Sequence, residues 1–343
     1  MSGAKKAVFF GELLLRLNTK RFERFAQSRE FEVYFTGAEA NAALSLTNYG
    51  LEGYVVSVVP DSEIGQACIN YHRQYGVNTD YVKRGGARLG IFYVENGASQ
   101  RPSKVIYDRA GSSMSQLQPG QIDWDTVLAG KQWFHFSGTA PALADGVAAA
   151  TKEACAAAKK HGLTVSCDLN YRKKLWSPEK AQRVMSDLMQ YVDVLIGNEE
   201  DSELVLGVKP KGVDVTSGSL DVERYKEVAH ELHKRFGFKY VATTLRESLS
   251  ASANNWSGLL SDGKTCYHSK RYHITIVDRV GGGDSFSGGL IYGLMTGMSS
   301  QQTIEFATAA SCLKHSIHGD FNLVSREEVM ALLGGDGSGR IQR

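Results

Sequence analysis

From about residue 130 onward, short apolar runs alternate with longer stretches whose apolar positions recur at helical spacing. Trp133 to Phe136 reads as a buried strand running into Ser137-Gly138. Ala142 to His161 is Ala-rich, has helical spacing and is stopped by Gly162. Thr164 to Asp168 is a second strand. Ser177-Pro178-Glu179 opens a helix, with Ser as N-cap and Pro in the first turn. Val192 to Ile196 predicts a strand ending at Gly197-Asn198, Asp221 to Phe236 a helix, and Phe238 to Thr244 another strand. This rhythm predicts βαβ units and an α/β fold with a mainly parallel sheet covered by helices on both faces.

Other segments break the rhythm. Ser250 to Leu260 and Lys264 to His268 flank Ser261-Asp262-Gly263, a hairpin signal. Residues from about 15 to 35 and from about 88 to 108 are rich in Phe, Tyr and Arg with alternating polar positions, and predict short antiparallel strands outside the main sheet, forming a lid. Residues 1–333 are expected to form one domain. The Gly-rich remainder, 334–343, is expected to be a disordered tail.

Composition narrows the function. The chain has 343 residues, 42% apolar and 22% charged, with a net charge of +2. That is an ordinary globular balance, without the basic excess of a nucleic-acid or acidic-membrane binder. The five cysteines are scattered and contain no C-x-x-C pair, so no disulfide framework or zinc site is expected. Glu12 interrupts the first apolar run too early for a signal peptide, and no apolar stretch reaches the roughly 20 residues of a membrane span. A cytoplasmic protein is expected.

The candidate chemistry lies near the C-terminus. His273 to Asp278 predicts a strand, which Gly281, Gly282 and Gly283 cannot continue. Asp284 to Leu294 then predicts a helix with small residues on one face. Strand, triple glycine and helix start together expose backbone N–H groups at the positive end of a helix dipole, a setting for a phosphoryl group. Asp284 stands beside that space. A lone Gly-Asp pair is more simply an N-cap, but here the carboxylate can accept the proton of an attacking hydroxyl. The P-loop pattern, the Rossmann fingerprint and the protein-kinase signatures are all missing.

Asp278-Arg279-Val280-Gly281-Gly282-Gly283-Asp284-Ser285-Phe286 resembles the second signature of the PfkB (ribokinase-like) carbohydrate kinases, D-T-x-G-A-G-D-x-F. Phe35 to Ala43 resembles their first signature, G-G-x-x-x-N-x-A. Gly11-Glu12, Tyr107-Asp108-Arg109, Asp168 to Arg172, Leu175 to Pro178 and Asn198 to Asp201 resemble the 2-keto-3-deoxygluconate kinases within that family. The resemblance runs from about residue 7 to about 330. It implies a three-layer α/β/α fold with a small β lid, and transfer of a phosphoryl group from ATP to the sugar's terminal hydroxyl, giving the 6-phosphate. Alternatives are a fructokinase or ribokinase of the same fold, or a silent sugar-binding regulator.

The resemblance assigns further roles. Asp284 would be the base, with Gly281, Gly282 and Gly283 as anion hole. Gly37 and Asn41 would meet the sugar, although Asn41 alone reads as a helix N-cap. Tyr107 and Arg109, on one side of a strand, would close over the sugar acid, with Asn170 and Arg172 at a strand end. Asn198, Thr244, Arg246 and Thr308 would serve the nucleotide, though a small residue in a packed helix explains Thr308 equally well. Asp201 would organise Mg²⁺ through water. Asp278 could contribute to a monovalent cation site. Thr36 departs from the first glycine of its signature, Gly282 from the usual alanine, and Thr244 to Glu247 from a Lys-x-Gly run. His315 and His318 lack a third ligand and read as structural or surface residues. A homo-oligomer is expected, paired through the lid.

Overall fold

The computed structural model describes residues 4–209, 222–335 and 337. Fourteen strands are present among them: β1 Lys6–Phe10, β2 Leu14–Thr19, β3 Phe31–Thr36, β4 Glu52–Val59, β5 Asn78–Arg84, β6 Gly90–Glu95, β7 Lys104–Asp108, β8 Trp133–Ser137, β9 Thr164–Asp168, β10 Val194–Gly197, β11 Tyr240–Ser248, β12 Ala253–Ser261, β13 Cys266–His268 and β14 Tyr272–Thr275. The helices are α1 Ala38–Asn48, α2 Glu63–Arg73, α3 Trp124–Leu128, α4 Asp145–Lys160, α5 Pro178–Met189, α6 Glu199–Leu206, α7 Val222–Phe236, α8 Gly282–Thr296, α9 Ser300–Lys314 and α10 Arg326–Leu333. Asp221, expected to open α7, and most of the 334–343 tail lie outside the described residues.

The main sheet runs β13-β12-β11-β10-β9-β8-β1-β4-β5, with β14 also paired to β12. From β11 to β5 every pairing is parallel. The β12–β13 hairpin at Ser261-Asp262-Gly263 closes the antiparallel edge. Strand β1 shows why helices cover both faces. Its side chains alternate, sending Val8 and Phe10 into a core with α4, α5 and α7, and Ala7 and Phe9 into a core with α1, α8 and α9. On the second side the helices close to backbone contact. A Cβ at Gly288 would lie 2.6 Å from the Ser45 side chain, and one at Gly289 would lie 2.9 Å from the Ala307 backbone.

The second sheet runs β3-β2-β6-β7. Its outer pairs are antiparallel, as expected, but β2 and β6 pair in parallel. The cause is topological: the chain passes through α1, β4, α2 and β5 of the main body before β6, and re-enters from the same end. Leu14, Phe92 and Val94 cluster on one face of this lid. Phe31, Val33 and Ile106 are exposed large apolar side chains on its strands. Among the described residues, no helix is long and apolar enough to cross a membrane.

Candidate active site

The strand β14 stops at Thr275, earlier than the sequence pattern suggests, because Asp278 is turned inward. Its Oδ1 accepts the Val280 N–H at 3.0 Å, and its Oδ2 meets Arg16 Nη2 at 2.7 Å. Gly281 then takes φ +81°, and a Cβ there would stand 2.0 Å from the Asp320 carbonyl oxygen. Conformation and space both demand glycine. Gly281 is the N-cap, α8 begins at Gly282, and Asp284 therefore lies in the third helical position instead of capping. The first-turn N–H groups of such a helix lack intrahelical acceptors, and a Cβ at Gly283 would meet open space, so a ligand can approach the backbone there.

Asp284 is half-buried, and its Oδ2 accepts a 2.7 Å hydrogen bond from Asn41 Nδ2. Asn41 is not a cap either. Gly37 precedes α1, and Asn41 sits one turn inside it, which aims its side chain across at α8. Behind it Thr36 Oγ1 lies 3.0 Å from Asn41 Oδ1 and 2.8 Å from Asp320 Oδ1. Fully buried Arg16 bridges Asp320 and Asp278 at 2.6 and 2.7 Å. Burial pushes the Asp284 carboxyl up to about 6, against the Asn41 hydrogen bond, which pulls it down. Such a group is mostly ionised at neutral pH and is a stronger base than a free aspartate.

Two cavities meet at this loop. The first, about 430 Å³, is lined by Gly37, Asn41 and Asp284, by lid residues Leu14, Phe92, Tyr107 and Arg109, and by Thr139. The second, about 400 Å³, is lined by Asn198, Asp201, Thr244, Arg246, Trp256 and His315. Both share Asp168, Asn170, Arg172, Arg279, Gly282 and Gly283. Asp168 and Asn198 stand at or just past the C-terminal ends of adjacent parallel strands β9 and β10, where open α/β sheets bind ligands. Asn170 has φ +38°, a backbone asparagine tolerates better than most residues.

Three further residues find their surroundings in the structure. Arg109 does line the first cavity, but it lies just past the end of β7, and Glu12 already holds it. Its Nε and Nη2 contact Glu12 Oε2 at 2.7 and 2.6 Å. Exposed Arg172, which donates to the Tyr171 carbonyl, is the freer guanidinium among the described residues. Thr308 lines neither cavity. It is buried in α9, donates to the Ile304 carbonyl and packs beneath Gly258. His315 is the C-cap of α9 and packs tilted against Trp256 at 5.1 Å between ring centroids, forming part of the second cavity wall.

The residues at the junction suit a divalent cation held largely by substrate oxygens. Burial and the neighbouring charges of Asp201 and Asp284 push Asp168 up to about 8. Burial raises Asp201 to about 6, while Arg172 and hydrogen bonds from the Tyr171 and Asn198 main-chain N–H groups pull it down. Carboxylates crowded at such cost favour a cation between them. Among the described residues no cluster of three or more His, Cys, Asp or Glu could hold a metal ion.

The model of the pfkB family carbohydrate kinases matches residues 4–324. The chain belongs to that family. It is 32% identical to the 2-dehydro-3-deoxygalactonokinase of Haloferax volcanii, covering 97% of this chain and 98% of that protein. It is 28% identical to the 2-dehydro-3-deoxygluconokinase of Thermoproteus tenax, over 91% and 89%. The crystal structure of 2-dehydro-3-deoxygluconokinase from Thermotoga maritima superposes with a TM-score of 0.93 at 48% identity, over 97% and 99%. The fold is therefore ribokinase-like.

Within this PfkB protein the departures from the signatures have local reasons. Thr36 supplies a hydroxyl to the Asn41–Asp320 network that glycine lacks. A Cβ at Gly282 would come 2.6 Å from the His315 ring, so the imidazole fills the space of the usual alanine methyl. Sequence reading missed Asp168, Glu12, Asp320 and Arg279 as members of the site. Asp168 was legible as the carboxylate closing a predicted strand. Glu12 and Asp320 act through partners distant in the chain.

Proposed function

We propose that this protein is an ATP-dependent kinase of a 2-keto-3-deoxy sugar acid, forming the 6-phosphate of 2-keto-3-deoxygluconate (2-dehydro-3-deoxygluconate). The observation that carries the reading is Asp284, a carboxylate with a proton affinity suited to a base, in the first cavity beside the glycine loop and helix N-terminus that the second cavity also reaches. The sugar acid occupies the first cavity beneath the lid, against Gly37, Asn41, Asn170 and Tyr107. Arg172 takes its carboxylate, with Arg109 fixed by Glu12 as the second donor. ATP lies in the second cavity along Asn198, Thr244 and Arg246. Asp284 removes the proton of the terminal hydroxyl as it attacks the γ-phosphorus. The amides of Gly281, Gly282 and Gly283, with Arg279, carry the charge of the transferring group. Bound Mg²⁺ would neutralise phosphate charge, with Asp168 and Asp201 holding its waters. Lid closure over the first cavity limits ATP hydrolysis.

The names of the relatives support the substrate class, and the Arg172 guanidinium supports an acid over a neutral sugar. The free thiols of all five cysteines fit a cytoplasmic protein. The exposed apolar side chains of the lid support a homo-oligomer. For Asp284→Asn, kcat is expected to fall by about 10²–10⁴-fold, with sugar and ATP dissociation constants near those of the wild type by calorimetry. Turnover retained in that variant would remove Asp284 from the role of base.

A further inference from the structure

A completely buried ammonium stands behind the phosphate loop. Lys314, the last residue of α9, is 0% exposed. Its Nζ donates to three main-chain carbonyls, those of Asp278 at 3.3 Å, Ile317 at 3.3 Å and Gly319 at 2.6 Å. Three N–H donors meet three oxygens, so the ammonium is satisfied. Ile317 belongs to the turn after α9, and that bond alone would be a helix C-cap. The other two acceptors lie on the two segments that bracket Gly281. Asp278 precedes the glycine loop, and Gly319 precedes Asp320, whose carbonyl abuts Gly281.

The same helix end grips the loop twice more. Ser311 Oγ donates to the Gly282 carbonyl at 2.7 Å, and the His315 carbonyl accepts the Val277 N–H at 2.8 Å. The charge is also placed to matter. Asp278, Asp320 and Asp284 all act on Lys314 as negative neighbours, and Arg16 as a positive one. Carbonyl oxygens converging at a helix C-terminus, backed by carboxylates, are the setting in which a K⁺-sized ion would bind. Every oxygen of Asp278 already has a protein donor. Arg16 and the Gly319 N–H take its Oδ2, the Val280 N–H its Oδ1, and Lys314 its carbonyl.

We propose that the Lys314 ammonium is a tethered monovalent cation that positions the Gly281–Gly283 anion hole, so that this protein needs no free K⁺ or Na⁺. The inference rests on the kinase reading above for its activity readout. Lys314 touches no substrate-lining cavity and is a positioning residue, acting through the Asp278 and Gly319 carbonyls.

The test compares wild type and Lys314→Met in buffers whose only added cation besides Mg²⁺ is tetramethylammonium, K⁺, NH₄⁺ or Li⁺. Wild-type kcat is expected to be the same in all four. Lys314→Met is expected to lose activity on the order of tenfold to a hundredfold in tetramethylammonium and Li⁺, and to recover part of it in K⁺ or NH₄⁺. Its thermal midpoint should rise with K⁺ or NH₄⁺ in the absence of substrates. Activation of the wild type by K⁺ would overturn the proposal, as would a Lys314→Met enzyme as active as wild type or indifferent to cation identity. If the variant does not fold, the wild-type series decides. If wild type transfers no phosphoryl group in any salt, the kinase reading fails, and the variant's cation-dependent midpoint still judges the tethered cation.

Discussion

Single side chains set the chemistry through their surroundings. Loss of hydration raises the half-buried Asp284 carboxyl to about 6, so its ionised fraction drops as pH falls through that value. The pH profile of kcat/KM should therefore lose about tenfold per unit below roughly pH 6. A profile flat to pH 4 would contradict the assignment. Asp168 makes a different prediction. Its folded-state value is raised to about 8 from 3.8, so the native state keeps a proton that the unfolded chain releases. That contribution to stability is present at low pH and is lost as pH rises from about 4 to 8. Asp168→Asn should thus be more stable than wild type at pH 8 in metal-free buffer, by on the order of 1 kcal/mol, with the difference vanishing near pH 4, and should have little activity. A melting series across that range checks it. The sequence made Asp284 and Asn41 legible because each lies within a short motif of fixed spacing. It did not reveal that Glu12 occupies Arg109, because the two are 97 residues apart and only the lid brings them together. Thr308 kept two readings because a threonine bonded back to its own helix looks the same in sequence as one facing a ligand.

Elements were legible where one force dominated. The strand Thr164 to Asp168 and the Ser177 cap came out as read, since a buried apolar run and a capping serine have few alternatives. The starts of α1 and α8 did not. In both, glycine takes the cap, and the polar residue read as a possible cap falls inside the first turns, aimed across the site. The parallel β2–β6 pair was hidden because register between distant strands leaves no local trace. The loop itself allows a paired test. Gly281→Ala meets both a positive φ and the Asp320 carbonyl, and should destabilise the fold by about 1–3 kcal/mol as well as lose activity. Gly283→Ala meets open space, so it should keep its thermal midpoint while the new methyl hinders phosphate approach and lowers kcat. Equal midpoints for the two variants would contradict this account of the loop.

At the scale of the molecule, the main sheet brings strand ends from both halves of the chain to one edge, and the lid closes the cavity over them. Neither half holds a site. Asn41 and Asp284 come from α1 and α8, Arg172 and Asp201 from the segments after β9 and β10. Fold and family were readable because two signatures and a regular βαβ rhythm span the chain. Substrate identity belongs to the whole cavity, where the exposed Arg172 guanidinium lines the space beneath the lid. The most direct measurement is a coupled ATP assay over 2-keto-3-deoxygluconate, its galactonate epimer, fructose and ribose, with the product's phosphate position read by NMR. The account predicts kcat/KM for the sugar acids well above that for the neutral sugars, and phosphate on the terminal oxygen. Equal or better turnover of fructose or ribose would contradict it.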